Sequence, residues 1–358
     1  MKKIKWGVIG TAGIARSCTI PGMIQAYNCE LYAIAGRSID KAEQFKEKFG
    51  FEKAYGSYKE LLVAVGSRHI ESAKAFAMEH DIPRYYESYE ALVKDQDVEA
   101  VYVATPNTLH YEWAVKAMKS GKHVLCEKPL APCEKQVKEL FETAKENHVY
   151  LMEAFAYQHS PYITAIKKEI EDGTIGEVCY IDSAFITSDY NKENIRMRRE
   201  TLGGCTYDLG VYNTSLTLGL LNEEPEKVEA SAIFSEEKID KLTSVVMEFA
   251  DGKKAAFTCG MTLATNQDRR LDCLEIDGTK GSITGTKFAF NGDGELSYTI
   301  RTDEGQEEVK TVEVPQNYRL EVEQFGRCID ENEIPAVTEE FSLKNVRLVE
   351  RILEEIGY

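Results

Sequence analysis

The sequence predicts an α/β protein of two domains, the first built on a parallel sheet and the second an α+β domain with a largely antiparallel open sheet. Three observations carry this. A short apolar run, Ile4 to Ile9, ends at Gly10 and is followed by helical periodicity from Ile14 to about Tyr27. Val98 to Ala104 and His123 to Cys126 read as buried strands, separated by a helix from Thr108 to Ser120 that Gly121 stops; strands alternating with helices imply parallel neighbours. From Val178 onward, short strands follow one another with Asp251-Gly252, Asp277-Gly278 and Asn291-Gly292 as hairpin signals.

In chain order, Ile4–Ile9, the first helix and the strand Leu31–Ala35 form the first half of a βαβ unit. Residues 33–63 and 64–94 then repeat one another: Arg37 matches Arg68, Ile39 matches Ile70, Phe45 matches Phe76, and Ser57-Tyr58 matches Ser88-Tyr89. A tandem duplication of one βα unit explains the match, and the extra copy either adds a strand and helix to the sheet or packs outside it. The first domain is expected over residues 1–130 and the second over 131–358. In the second, Cys133–Asn147 and Tyr162–Glu171 read as helices, and the run of strands begins at Val178–Thr187. Further strands are expected at Lys227–Phe234, Ser244–Phe249, Ala255–Cys259, Leu271–Ile276, Gly281–Thr284, Leu296–Ile300 and Val309–Val314, before closing helices at Leu320–Glu331 and Ser342–Ile356. One broad face of that sheet needs a cover, and a second copy of the chain, in a homodimer or larger homo-oligomer, would supply it.

With 358 residues, 43% hydrophobic and 29% charged, the chain has ample material for a core. Its net charge of -17 speaks against nucleic acid or an anionic membrane as a partner. An anionic small ligand remains open, because local basic groups and helix termini can dominate a pocket. No apolar stretch is long enough to span a bilayer. The start MKKIKWGVIG lacks the sustained apolar run of an export signal, so a cytoplasmic protein is expected. The nine cysteines show no CxxC spacing and the six histidines no HExxH, so reduced thiols and no catalytic metal are expected.

Four signals carry chemistry. In Gly7-Val8-Ile9-Gly10-Thr11-Ala12-Gly13-Ile14-Ala15, a tight turn at Gly10 and a helix starting near Gly13 would aim backbone N–H groups at a pyrophosphate, as in Rossmann-like dinucleotide sites. Ala12 stands where the ideal fingerprint has its second glycine. The second expected strand ends in Ala35-Gly36-Arg37-Ser38 without a carboxylate, which favours NADP over NAD; Arg68 is a rival for the role of Arg37. Thr105, Pro106 and Asn107 lie just past a strand end, where cofactors bind, and His110 in the next helix turn is either a cofactor contact or a residue satisfied by backbone. Glu127-Lys128-Pro129 places a charged pair at the next strand end, and a lysine there can move a proton or hold a hydroxyl.

GVIGTAGIA, TPNTLH and above all GKHVLCEKP, together with Gly203-Gly204-Cys205-Thr206-Tyr207-Asp208-Leu209-Gly210-Val211-Tyr212, resemble the glucose–fructose oxidoreductase and inositol dehydrogenase family over nearly the whole chain. The resemblance implies nicotinamide-dependent oxidation or reduction of a sugar, polyol or diol, with Lys128, Asp208 and Tyr212 as the catalytic group. Tyrosine at 212 places the chain nearer the dihydrodiol and xylose dehydrogenase branch than the inositol dehydrogenases, which have histidine there. Asp208 and Tyr212 are four residues apart, so on a helix both face one side. Tyr212, acidified by a nearby Lys128, would exchange the hydroxyl proton. Gln158 stands where arginine is common in the family. The cluster Arg196-Met197-Arg198-Arg199 would either bind a hydroxylated or anionic substrate or form a solvated interface loop. Other readings are a glycosidase-like enzyme with tightly held NAD and a non-catalytic cofactor-binding protein.

Overall fold

A computed structural model describes residues 3–9, 14–35, 39–55, 96–188, 190–263, 270–285 and 292–358. Gly10 to Gly13, Arg37, Ser38, Arg68 and the second copy of the repeat, 64–94, lie outside the described residues. The chain divides into two units: Met1–Leu130, Gln136–Ala154 and Tyr318–Ala336 form the first, and Ala131–Lys135, Phe155–Asn317 and Val337–Tyr358 form the second.

The first unit holds β1 (Ile4–Ile9), β2 (Cys29–Ala35), β3 (Lys53–Tyr55), β4 (Ala100–Val103), β5 (His123–Glu127) and β6 (Leu151–Ala154), in the order β3-β2-β1-β4-β5-β6. All five pairings are parallel. The apolar run of β4, and that of β1 after Lys5, suit strands covered on both faces. Strand order reverses between β1 and β4, and in open α/β sheets ligands bind beyond the strand ends at such a reversal. Two segments from beyond residue 130 complete this unit. Leu-Met-Glu-Ala of β6 has no β-branched residue and gives no strand signal of its own; pairing with β5 recruits it. The helix Asn317–Glu331 buries Val322, Phe325 and Cys328, and Phe325 meets Trp6 of β1 at 5.7 Å.

The second unit carries β7 (Val178–Ser188), β8 (Lys227–Phe234), β9 (Asp240–Glu248), β10 (Lys254–Leu263), β11 (Arg270–Gly278), β12 (Gly281–Gly285), β13 (Gly294–Thr302) and β14 (Glu307–Val314). Their order is β14-β13-β12-β11-β7-β10-β9-β8, antiparallel throughout except for the parallel pair β7 and β10. Strict alternation divides the sheet. Ile181, Phe185, Val245, Met247, Phe257, Leu274 and Ile276 face inward and are buried, and the helix Val211–Leu221 packs on β7 and β10. Ser160 caps the helix Pro161–Glu171 by accepting from Tyr162 N, a contact that stabilises a helix start by about 1 kcal/mol. Asp277-Gly278 is not the turn its sequence suggests: Gly278 still pairs with Gly281, and Thr279-Lys280 makes the turn. The Thr279 and Lys280 amides donate to Glu177 O and Ile175 O at 2.9 and 2.8 Å, which fixes the reversal one step later.

Among the described residues no helix is long and apolar enough to cross a membrane. No group of three or more His, Cys, Asp or Glu side chains there could hold a metal ion.

Candidate active site

At the strand reversal, Ile9 pairs with Val103, and Ala104 N donates to Ile9 O at 2.8 Å, which holds the tips of β1 and β4 level. Thr105 follows at once. Its Oγ1 is buried and has no hydrogen-bond partner among the described residues. A buried hydroxyl without a partner costs free energy unless a ligand or water supplies one, so this strand end is built to receive a polar group. Pro106 and Asn107 continue part-exposed beside it, and Ile14, also part-exposed, opens the helical turn after the glycine-rich loop.

His110 is a different case. Its Nδ1 lies 2.8 Å from Pro129 O and its Nε2 2.9 Å from Thr105 O, and the ring is 1% exposed. Both nitrogens lie against backbone carbonyls and the protonated one donates, so the ring ties the β4 exit to the β5 exit. Burial pushes its pKa below the ordinary histidine value.

The Glu127 carboxylate is buried and accepts a hydrogen bond from the Tyr102 hydroxyl, which lies 2.9 Å from Thr19 Oγ1. A phenol in the middle of an aliphatic central strand needs such a partner. Glu321, from the helix Asn317–Glu331, is fully buried, and neither of its oxygens has a hydrogen-bond partner. Desolvation first, and then the charge of Glu127, raise its pKa well above the carboxylate range. Lys128 is half-buried at the end of β5, joined to Pro129 by a cis peptide bond.

In the second unit, Asp208 sits in a wide helical turn, Thr206–Gly210, that runs directly into the helix bearing Tyr212. Wide turns of this kind recur at functional sites because they re-aim side chains. Asp208 does not act as a plain helix-start carboxylate: its Oδ2 accepts from Arg196 Nε at 2.7 Å. Arg196 also lies over the Tyr190 ring, 5.2 Å from its centroid. The neighbouring Arg199 donates to Lys238 O at 3.0 Å and covers the Tyr358 ring. Arg196 and Arg199 are thus bonded into this unit, while Arg198 and Arg199 stay exposed.

Tyr212 is 8% exposed and boxed by rings: Phe155 and Tyr157 at 5.9 Å and Phe185 at 5.5 Å. Behind it, Tyr157 Oη meets Ser215 Oγ at 2.7 Å, and Ser215 Oγ donates to Tyr212 O at 3.0 Å. Gln158 Nε2 donates to Tyr157 Oη at 2.7 Å and accepts Lys167 Nζ on Oε1 at 3.2 Å. Thus the glutamine that replaces a family arginine still has a cation behind it, one whose pKa burial pushes down. Sequence reading did not single out Tyr102, Glu321 or Lys167. A tyrosine inside VEAVYVA and an acid three residues after Tyr318 on a helix's apolar stripe were signals it could have used.

Residues 59–155 match the model of an oxidoreductase family with an NAD-binding Rossmann fold, and residues 163–284 match the GFO/IDH/MocA C-terminal domain. A trans-1,2-dihydrobenzene-1,2-diol dehydrogenase of Xenopus laevis is 31% identical, covering 99% of this chain and 98% of that protein. A D-xylose 1-dehydrogenase (NADP(+)) of Haloferax volcanii is 30% identical, covering 98% and 96%. Among solved structures, a 3-ketoreductase from Actinomadura kijaniata in complex with NADP and TDP-benzene superimposes with a TM-score of 0.84 at 26% identity, covering 99% of this chain and 98% of that one.

Proposed function

This chain belongs to the GFO/IDH/MocA family of NAD(P)-dependent oxidoreductases, and on that premise we propose that it moves hydride between NADP and a hydroxyl-bearing carbon of a sugar, polyol or diol. The observation that carries the reading is its end-to-end likeness to an NADP(+)-linked xylose dehydrogenase, 30% identical over 98% of the chain.

The described residues fit a dinucleotide. The strand order reverses at β1 and β4, and the orphaned Thr105 hydroxyl sits at that end. Ile14, Thr105, Pro106 and Asn107 would line the cofactor with the backbone of Gly10, Thr11, Ala12 and Gly13, while Arg37 and Ser38 would meet the 2′-phosphate, NAD being the weaker alternative. When bound, NADP would supply the hydride acceptor for oxidation, or the hydride donor for reduction, at the substrate carbon. The protein handles the proton. As the carbon–oxygen double bond forms, the hydroxyl proton passes to Tyr212; in reduction Tyr212 gives it back. We carry Lys128 over as a group that contacts the substrate, and Asp208 as one that orients a hydroxyl next to the reacting one. Proton and hydride thus leave by separate routes, and the balance closes with one ketone or lactone, one reduced cofactor and one proton.

A screen of aldoses, polyols and trans-diols with NADP+ and NAD+, read by absorbance of the reduced nicotinamide, tests this. Turnover with NADP+ on at least one such alcohol is expected; a folded protein that binds NADPH yet oxidises none would overturn the substrate class. We further propose a homodimer through the outer face of the eight-stranded sheet. The register aligns Ile233, Leu242, Gly260, Ile186 and Leu271 in one row across five strands, with Ile233 62% and Leu271 45% exposed, an apolar stripe suited to a self-complementary cover. A cytoplasmic location accords with nine unbridged cysteines.

A further inference from the structure

We propose that Arg196 is a positioning residue for the reaction: delivered by the loop that closes at Gly203-Gly204, its guanidinium holds the Asp208 carboxylate in one aim beside Tyr212. The proposal rests on the reading of Asp208 and Tyr212 as groups that touch the substrate.

The loop is shaped to deliver this one side chain. Asn194 Oδ1 accepts from Arg196 N at 3.0 Å and starts a single helical turn, Ile195–Met197. Arg196 O then accepts from Gly204 N at 2.8 Å, and Arg198 O from Gly203 N at 2.9 Å, folding the segment back onto the helix start. That closure leaves no room for side chains at the two glycines. A Cβ on Gly203 would stand 2.4 Å from Arg196 O, and one on Gly204, where φ is +107°, would stand 1.9 Å from Asp240 Oδ1. Tyr358 fastens the outside of the loop, its hydroxyl donating to Gly203 O at 2.7 Å with Arg199 lying over its ring. The glycine pair of the sequence motif thus serves as the hinge that brings Arg196 back to a carboxylate twelve residues downstream.

The energetics separate positioning from mere support. The Asp208 side chain is only 15% exposed, so its carboxylate has lost most of its water and takes its direction from the guanidinium. The Arg196 side chain is 36% exposed, and ion pairs so open to solvent add little to fold stability. Arg196 also lies within electrostatic reach of Tyr212, so one cation serves both groups. Its placement against the Tyr190 face and its in-line Nε contact need a planar fork, which lysine lacks.

The test compares Arg196→Gln, Arg196→Lys, Asp208→Asn and the Arg196→Gln/Asp208→Asn pair in the full-length protein, on a substrate found by the screen above. Arg196→Gln should lower kcat/KM by about 10- to 100-fold, the range for losing a charge-assisted hydrogen bond. NADPH affinity and melting temperature should stay near wild type. Arg196→Lys should restore part of the loss, and Arg196→Gln should cost nothing more once Asp208 is asparagine. Wild-type kcat/KM in Arg196→Gln beside an impaired Asp208→Asn overturns the proposal alone. An Asp208→Asn enzyme as active as wild type overturns the reading beneath it. Loss of NADPH binding and of folded protein in step with activity in Arg196→Gln would mark a structural role and also overturn the proposal. Should Arg196→Gln fail to fold at all, Arg196→Lys and Tyr358→Phe carry the test: a fall in kcat/KM in both, with melting unchanged, is expected, and wild-type values in both refute it.

Discussion

Replacing Tyr212 with phenylalanine removes one oxygen and leaves the ring. The structure lets the two consequences be weighed apart. The ring keeps its edge-on contacts with Phe155 at 84° and Phe185 at 62°, and its tilted contact with Tyr157 at 54°. Each such pair is worth about 0.5–1.5 kcal/mol and survives the change. Loss of the hydroxyl costs the fold at most about 1.5 kcal/mol, the upper net value of one hydrogen bond. In a chain of this size that is a shift of a few degrees in melting temperature, at about 2–4 °C per kcal/mol. The effect on turnover is of another order. Positioned acid–base groups contribute about 100- to 10,000-fold, or roughly 3–5 kcal/mol of barrier, more than the stability change can supply. The assay is kcat at saturating NADP+ and substrate, with a thermal melt on the same sample. A fall of that size with a melt within a few degrees is expected. Retained turnover, or a melt that collapses in parallel with activity, would refute the assignment.

Three further outcomes follow from buried groups. Glu321 has its folded-state pKa raised well above the ordinary carboxylate value, so the stability it contributes is full below that ordinary value and is lost as pH rises through the folded one. Glu321→Gln, which imitates the protonated form, should therefore melt higher than wild type at about pH 8 and show a smaller advantage at about pH 5; an equal difference at both would contradict this. His110 shifts the other way. Its folded pKa lies below 6.5, so its contribution is present above that value and is lost as pH falls through the folded one. His110→Phe removes the N–H that one of the Thr105 and Pro129 carbonyls accepts and should cost about 1–3 kcal/mol in urea unfolding near neutral pH, with a shallower loss towards acid. Thr105→Val keeps the shape of the β4 exit and removes its unpartnered hydroxyl. NADPH affinity should weaken by about 2- to 10-fold, the worth of one neutral hydrogen bond, with no loss of stability; unchanged affinity would remove Thr105 from the cofactor site.

The parallel strands β1, β4 and β5 were legible because burial on both faces leaves mostly apolar residues, and the second sheet because one open face enforces alternation. What escaped reading depended on distant partners. Leu151–Ala154 becomes a strand only because β5 offers an edge, and the Asp277-Gly278 turn slips because amides two residues on are claimed by Ile175 and Glu177. The site divides in the same way. The spacing of Asp208 and Tyr212 on one helical run was readable, and the structure keeps them on continuous helical turns. No local pattern shows that Asp208 is bound by Arg196, that Glu127 turns inward onto Tyr102, or that both His110 nitrogens meet carbonyls. All but the five-residue contact of His110 with Thr105 join residues twelve or more apart, set by where the backbone passes rather than by which residues adjoin in sequence.

The central claim, a cofactor cleft that prefers NADP, is tested most directly by titrating cofactor-free protein with NADPH and with NADH, following nicotinamide fluorescence. Tighter binding of NADPH, weakened by Arg37→Ala and untouched by Arg68→Ala, is predicted. Binding of neither nucleotide by the folded protein would contradict the account, and NADH binding as tightly as NADPH would contradict its choice of cofactor.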